Sequence, residues 1–281
     1  MSPYLFVLGV AQDGGHPQPG CTRACCTNLV EGHLPASIAV VDPDIRERWL
    51  VDATPAFPEQ LRRLDVVAPP RTAAPGLDGL LLTHAHMGHY TGLSWLGREV
   101  MGSRGLPLYV MPRLADFLTK NGPWSQLVSL GNVALVVGAE VRLNARLSAQ
   151  ALLVPHRDEL SETMAWRIQG PSRAALYLPD IDRWDTWALR LEDVLAGVDV
   201  AFLDGTFWAD GELSRDMKEV PHPRISETIA RLAALPASER AKVRFTHLNH
   251  TNPALDPTSA AAKAVAAAGM AVAREGERVE L

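Results

Sequence analysis

Three histidines fall within six residues in Leu80-Leu81-Leu82-Thr83-His84-Ala85-His86-Met87-Gly88-His89, directly after an apolar run. Imidazole is the commonest metal ligand, and packing offers no reason for an alternating histidine pair. In extended backbone, alternate side chains face the same way, so His84 and His86 can converge on one point. His89 stands where the sequence turns into a helical pattern, which brings a neighbouring ligand position within its reach. Other metal-binding residue types end later apolar runs. His156 follows Leu152-Leu153-Val154-Pro155, Asp180 follows Ala175-Leu176-Tyr177-Leu178-Pro179, and His247 follows Val243-Arg244-Phe245-Thr246. All can gather along one edge of the sheets. Catalytic zinc takes typically about three protein ligands and an open position for water, whereas a two-metal site takes more and often a bridging carboxylate.

The elements that must position these residues alternate along the chain. Apolar, β-branched runs predict strands over 4–10, 37–41, 49–51, 79–82, 108–111, 133–137, 152–154, 164–168, 174–178, 200–203, 243–246 and 271–273. Helical spacing predicts helices over 56–64, 90–100, 114–121, 184–195, 224–235 and 257–268, the last with Pro257 near its start and Gly269 beyond its end. Asp42-Pro43-Asp44 reads as a hairpin turn, and the Pro- and Gly-rich stretch Ala68 to Gly76 as a surface loop. Asn121 to Gln126 reads as a loop whose Trp124 is either a lid over substrate or a buried anchor. No repeat or low-complexity linker divides the chain, so one α/β domain of packed layers is expected over 1–281.

Composition narrows the partners. The 281 residues are 47% hydrophobic and 21% charged, ordinary for a globular chain, and the net charge of −5 gives no reason to bind nucleic acid or an anionic membrane. A small-molecule substrate is expected. Met1 to Val10 lacks a basic n-region and reads as a first strand, and no apolar run approaches the ~20 residues of a membrane helix. The three cysteines, Cys21, Cys25 and Cys26, share one short loop, which argues against a disulfide framework and for the cytoplasm.

The segment Thr83 to Leu93 resembles the H-x-H-x-D-H signature of the metallo-β-lactamase superfamily. The resemblance implies an αββα sandwich with metal at one edge between the sheets. It implies the ligands His84, His86, His89, His156, Asp180 and His247, with Asp180, His89 and His247 catalytic. Asp52 and Asp204, each ending an apolar run, would orient ligands from behind, Asp204 being also a rival to Asp180. Within the superfamily, Leu8-Gly9-Val10-Ala11-Gln12-Asp13-Gly14-Gly15-His16-Pro17-Gln18, Asp204-Gly205-Thr206-Phe207-Trp208 and His247-Leu248-Asn249-His250-Thr251-Asn252-Pro253 resemble the coenzyme pyrroloquinoline quinone synthesis protein B group. That group lacks much of the central histidine set, which this chain keeps. A further resemblance, to cyclic phosphodiesterases of the carbon-phosphorus lyase pathway, implies a structural zinc held by Cys21, Cys25, Cys26 and His250. Here Arg23 stands where their middle cysteine would be, so Cys25 must substitute.

One departure bears on mechanism. Gly88 stands where the signature has Asp, which leaves a second metal only His89, His247 and Asp180 and opens space that substrate could fill. The first metal would keep His84, His86, His156 and the shared Asp180. Zinc at one or two active-site positions, with hydrolysis of a phosphodiester, lactone or related ester, is the leading expectation. Iron or manganese is the alternative, with oxygen chemistry at iron or a biosynthetic role toward a quinone-type cofactor, and a metal-binding protein without turnover is the third reading. His16 and His222, flanked by prolines, read as surface histidines of rigid loops, with a place at the site mouth as the alternative for His222. Arg157-Asp158-Glu159 either fixes the His156 ring through a carboxylate or is a solvated charge run.

Overall fold

The computed structural model describes residues 1–28, 32–71 and 75–281, so part of the Ala68 to Gly76 loop lies outside the described residues. Period-2 burial along the strands builds the architecture. The first sheet contains β1 (Tyr4–Gly9), β2 (Ser37–Asp42), β3 (Glu47–Val51), β4 (Gly79–Leu81), β5 (Leu106–Val110) and β6 (Val133–Val137), and the second β7 (Glu140–Arg142), β8 (Ser148–Val154), β9 (Thr163–Gln169), β10 (Ala174–Leu178), β11 (Val200–Asp204), β12 (Val243–Thr246) and β13 (Ala271–Val272). β14 (Arg278–Glu280) returns to pair with β1 in the first sheet. Leu5, Val7, Ile38, Val40, Trp49, Val51 and Leu81 point inward from one sheet and meet Trp166, Ile168, Ala175, Tyr177 and Phe202 from the other. The intervening residues point outward: Leu50, Leu80 and Leu82 pack under Phe57, Leu61 and Leu64 of one helix, and Leu176, Leu178, Leu203 and Phe245 under Ile225, Leu232 and Val265. Sheets apolar on both faces need helices outside both, and the result is the expected αββα sandwich.

Both sheets mix the two pairings in the same way. Antiparallel strands run from β14 through β3 and from β7 through β10, and parallel strands follow from β3 to β6 and from β10 to β13. In each sheet the antiparallel-to-parallel change falls among the strands that carry the site. Trp166, fully buried between the sheets, donates from Nε1 to Leu82 O at 3.0 Å and ties β9 to the chain just ahead of the histidines.

The strand expectations are met within a few residues, with β7 and β14 added, both only three residues long. The helices depart further. The predicted helix over 90–100 is a single turn, Met87–Tyr90, followed by a 3-10 segment Thr91–Leu96. Gly92 N donates to Ala53 O at 2.8 Å, and a Cβ on Gly92 would lie 2.3 Å from Thr54 O, so this segment is pressed against backbone too closely for a regular amphipathic helix. The span 184–195 is a 3-10 turn, Trp184–Thr186, and a short helix, Leu191–Ala196. The last helix starts later than predicted, at Ala260–Ala267, because Ser259 caps it by accepting from Ala262 N, and Pro257 lies outside. Trp124 begins a helix, Trp124–Ser129, instead of lying in a loop, and its ring packs edge-on against Tyr90 at 4.9 Å. It anchors the segment behind the histidine turn and is no lid. No helix among the described residues is long and apolar enough to cross a membrane.

Candidate metal centre

Strand β4 ends at Leu81, and the chain then turns across the top of the first sheet. Asp52, just beyond β3, receives the turn: its Oδ1 accepts from Thr83 N at 2.8 Å and its Oδ2 from His89 Nδ1 at 2.8 Å. Thr83 Oγ1 donates to Asp52 at 3.0 Å and accepts from His84 Nδ1 at 3.0 Å. The hydrogen-bond network thus places a proton on Nδ1 of both rings and turns both Nε2 atoms to the cluster. Burial opposes the charge of His89, but Asp52, Asp180 and Asp13 raise it well above the usual imidazole range, so a metal there would displace its Nε2 proton. The Met87–Tyr90 turn brings His89 back beside His84, with ring centroids 4.2 Å apart.

The second sheet answers from its own strand ends. His156 follows β8 and donates from Nδ1 to Asp182 Oδ1 at 2.8 Å, which frees an Nε2 that is buried without a partner. Asp180 follows β10, with Oδ2 3.2 Å from His89 Nε2 and Oδ1 3.7 Å from His156 Nε2 and 3.5 Å from His247 Nδ1. Asp204 ends β11 and accepts from Thr206 N and Oγ1, from Ile181 N, and from His222 Nδ1 at 2.7 Å. Thr206 Oγ1 then faces His247 Nδ1 at 3.2 Å. Asp52 and His247 both take left-handed backbone, at φ 67° and 60°, which is uncommon for residues with a Cβ.

The ligating atoms of His84, His86 and His156 lie within 4.8 Å of one another, as do those of His84, His89 and Asp180, those of Asp13, His89 and His247, and those of His156, Asp180 and His222. Buried Nε2 atoms of His156 and His247, Oδ2 of Asp180 and Oδ1 of Asp13 have no hydrogen-bond partner. Unpaired buried polar atoms are costly, and these converge. Imidazole and carboxylate donors so placed fit a divalent transition metal. Electrostatics agree. Burial, with His89 and other neighbours, holds His84 well below the usual imidazole range, and burial with His156 and Arg157 pushes His86 down to about 4, so both keep lone pairs available. Burial opposes the charge of Asp180, but His247, His89 and His156 outweigh it and keep the carboxyl ionised far below its usual range.

The structure therefore brings together His84, His86, His89, His156, Asp180 and His247, with Asp52 and Asp204 behind them. It changes several neighbours. His222 is not a surface histidine but is buried against Asp204 and faces the cluster, and His16 is buried too, with Nε2 2.7 Å from Cys25 O. Asp182, not the Arg157-Asp158-Glu159 run, fixes the His156 ring; Asp158 pairs with Arg113 and Glu159 lies 3.6 Å from His86 Nε2. Position 88 opens no space for substrate, because Asp13 fills it: a Cβ on Gly88 would lie 1.8 Å from Asp13 Oδ1. Sequence reasoning missed Asp13 and Asp182. Asp13 lies in the loop four residues beyond the end of β1, a weaker version of the signal that the other site residues give, whereas Asp182 carries none. Beside the cluster a cleft of about 520 Å³ is lined by Asp182, Arg183, Trp184, Lys218, His222 and Arg224.

A second group stands at the rim. The sulfurs of Cys21, Cys25 and Cys26 and a ring nitrogen of His250 lie within 4.8 Å of one another, and His250 Nδ1 is buried without a partner. Cys25 and Cys26 ride on the single turn Ala24–Thr27. The backbone N–H of Arg23 draws the Cys21 thiol below its usual range, while burial pushes Cys26 up to about 11.

Comparison with known proteins gives these features a context. The family described as "Beta-lactamase superfamily domain" matches residues 47–273. Coenzyme PQQ synthesis protein B of Methylobacterium nodulans is 30% identical and aligns over 98% of this chain and 99% of its own. Among solved structures, Zn(2+)-bound PqqB from Methylobacterium extorquens superposes with a TM-score of 0.82 at 23% identity, covering 99% of this chain and 100% of that one. A diphosphatase from the PhnP family superposes at 0.68 with 22% identity, covering 100% and 98%.

Proposed function

The chain belongs to the beta-lactamase superfamily, among the relatives of coenzyme PQQ synthesis protein B, and on that premise we propose that it is a metal-dependent enzyme converting a small molecule in the making of a quinone-type cofactor. The observation that carries the metal part is the convergence of buried, partnerless donor atoms from His156, Asp180 and His247 on the histidine turn. His84, His86, His156 and Asp180 would hold one ion, and His89 and His247 would share Asp180 toward a second. A divalent metal held by these residues would supply Lewis-acid chemistry at the centre.

The remaining steps belong to the chain's own residues. Substrate would enter the cleft beside Asp182, whose lining balances Arg183, Lys218, Arg224 and Arg231 against Asp182, Asp185, Asp210 and Glu227 and so suits a polar small molecule. Burial would strip the His222 proton, but Asp204 outweighs it and raises the imidazole above its ordinary range, so His222 faces the cluster as a proton donor. Trp166 and the inward apolar layer close the floor to water. At the rim, Cys21, Cys25, Cys26 and His250 would hold a structural zinc, a donor set that suits tetrahedral coordination. Zinc in the similar Methylobacterium extorquens protein supports metal binding by this architecture.

A second reading, hydrolysis of a phosphodiester, lactone or related ester, is favoured by the nearly complete histidine and carboxylate set, which suits water activation. Metal analysis of protein purified without added metal, joined to two assays, separates them. Iron retention with oxygen consumption in the presence of a quinone-cofactor precursor is expected from the first reading; turnover of a phosphodiester or lactone panel by zinc-loaded protein would replace it with the second. Unchanged metal content in His84→Ala and His156→Ala would overturn both. Cys21→Ser should release one metal equivalent and lower Tm while the histidine-bound equivalents stay.

A further inference from the structure

We propose that Asp13, from the loop after β1, is a ligand to the second metal position, replacing the carboxylate that Gly88 lacks. This rests on the reading of the histidine cluster as a metal centre and goes beyond it by completing the site from a segment outside the signature. Asp13 Oδ1 lies 3.3 Å from His89 Nε2 and 3.6 Å from His247 Nε2, the two histidines that the signature's missing carboxylate would accompany. The side chain as a whole is 43% exposed, yet Oδ1 itself is buried, turned inward and has no hydrogen-bond partner. An acceptor so placed between two imidazoles is satisfied by a cation.

The glycine and the aspartate are two sides of one arrangement. An ideal Cβ on Gly88 would stand 1.8 Å from Asp13 Oδ1, 2.5 Å from its Cγ and 2.7 Å from its Cα. Any side chain at 88 would collide with the backbone as well as the carboxylate of residue 13, so glycine there is the condition for Asp13 to reach the site. The loop is held in place by its own bonds. Leu248 N donates to Val10 O and Gln12 N to Leu248 O, both at 2.8 Å, so the segment carrying Asp13 is zipped to the segment carrying His247. Gly15, at φ 74°, makes the turn that follows, with its N donating to Gln12 O. Asn249 Nδ2 donates to Gln12 Oε1 and fixes the residue beside Asp13.

The donor set at the second position is then Asp13, His89 and His247, whose ligand atoms lie within 4.8 Å of one another, with Asp180 reaching it from 3.2 Å beyond His89 Nε2 as a second carboxylate. Harder, more oxygen-rich coordination than at the first position follows, and it selects ions such as Mn²⁺ or Fe²⁺ over softer ones.

Titration of metal-free protein with Zn²⁺ and, separately, Mn²⁺, read as stoichiometry and affinity with Tm as a control on folding, tests the assignment. Asp13→Asn, close in shape to the native residue, should keep the first histidine-site equivalent and weaken the second by about 100-fold or more, the upper range for losing even an indirect partner of a ligand. Asp13→Ala should do the same. Gly88→Asp, which writes the common signature into a position where Asp13 leaves no room, should add no metal and should lower Tm. If Asp13→Asn and Asp13→Ala both bind the second equivalent with unchanged affinity, or if Gly88→Asp tightens it, the assignment is wrong while the metal centre stands. If the native protein takes up no metal that His84→Ala abolishes, the metal centre falls and the assignment with it.

Discussion

Each sheet ends in a buried aspartate that does the same work with different partners. Asp52 holds His89 directly and reaches His84 through Thr83; Asp204 holds His222 directly and faces His247 through Thr206. In the first sheet both histidines come from one turn, within seven residues of Thr83. In the second they arrive from segments 18 residues apart or more from Asp204, one on a proline-flanked loop and one at the end of β12. The two sheets converge on one solution at their shared edge, a carboxylate that orients one imidazole directly and another through a hydroxyl, but only the first concentrates it in a short stretch of chain.

That contrast can be broken by experiment, starting where the effect is largest. Asp52→Asn removes the anion behind both His84 and His89, so affinity at the histidine cluster should fall by about 10- to 100-fold at each position, measured by metal competition. An unchanged affinity would mean the first turn is pre-formed without it. Asp204→Asn should loosen the relay through Thr206 to His247 and the Ile181 N–H beside Asp180, with about a 10-fold loss of metal affinity, and should also lower the pH at which His222 titrates, followed by NMR. The sign follows from geometry: Asp204 raises His222, so its loss moves the imidazole down. Smallest, Thr83→Val and Thr206→Val delete the hydroxyl relays and leave the direct bonds. Each should cost about 1–3 kcal/mol of stability in chemical denaturation, for a buried carboxylate deprived of one donor, with only a few-fold change in metal affinity. Equal losses from the two valine variants would support the equivalence of the sheets.

The same contrast explains what could be read from sequence. His84, His86 and His89 are visible because period-2 geometry and a short turn bring them together without help from the fold. His156, Asp180 and His247 are visible less directly, each as a polar residue at the end of an apolar run. Asp13 lies four residues beyond β1, in a Gly-rich turn whose course depends on pairing with Leu248, far along the chain. His222 is hidden for a similar reason: prolines on both sides suggest an exposed loop, while Asp204 and Phe207 draw the ring inside. The strands were predicted well because alternation records which face is buried. Helices 90–100 and 184–195 were overdrawn, because apolar spacing there reflects packing of short turns against backbone rather than a continuous helical stripe.

Asp52 and His247, one from each sheet, carry left-handed backbone at the two places where the sheets present residues to the cluster. Such conformations cost on the order of 1–3 kcal/mol each when the residue is not glycine. The sandwich is therefore held away from its most stable sequence at the positions that serve chemistry, and a metal bound by the native geometry returns part of that cost by mass action. Metal binding would in this sense raise the stability of this protein. Substitutions that relax either residue would make a sturdier shell around a poorer site, so thermal resistance and metal retention should be expected to evolve in opposite directions here.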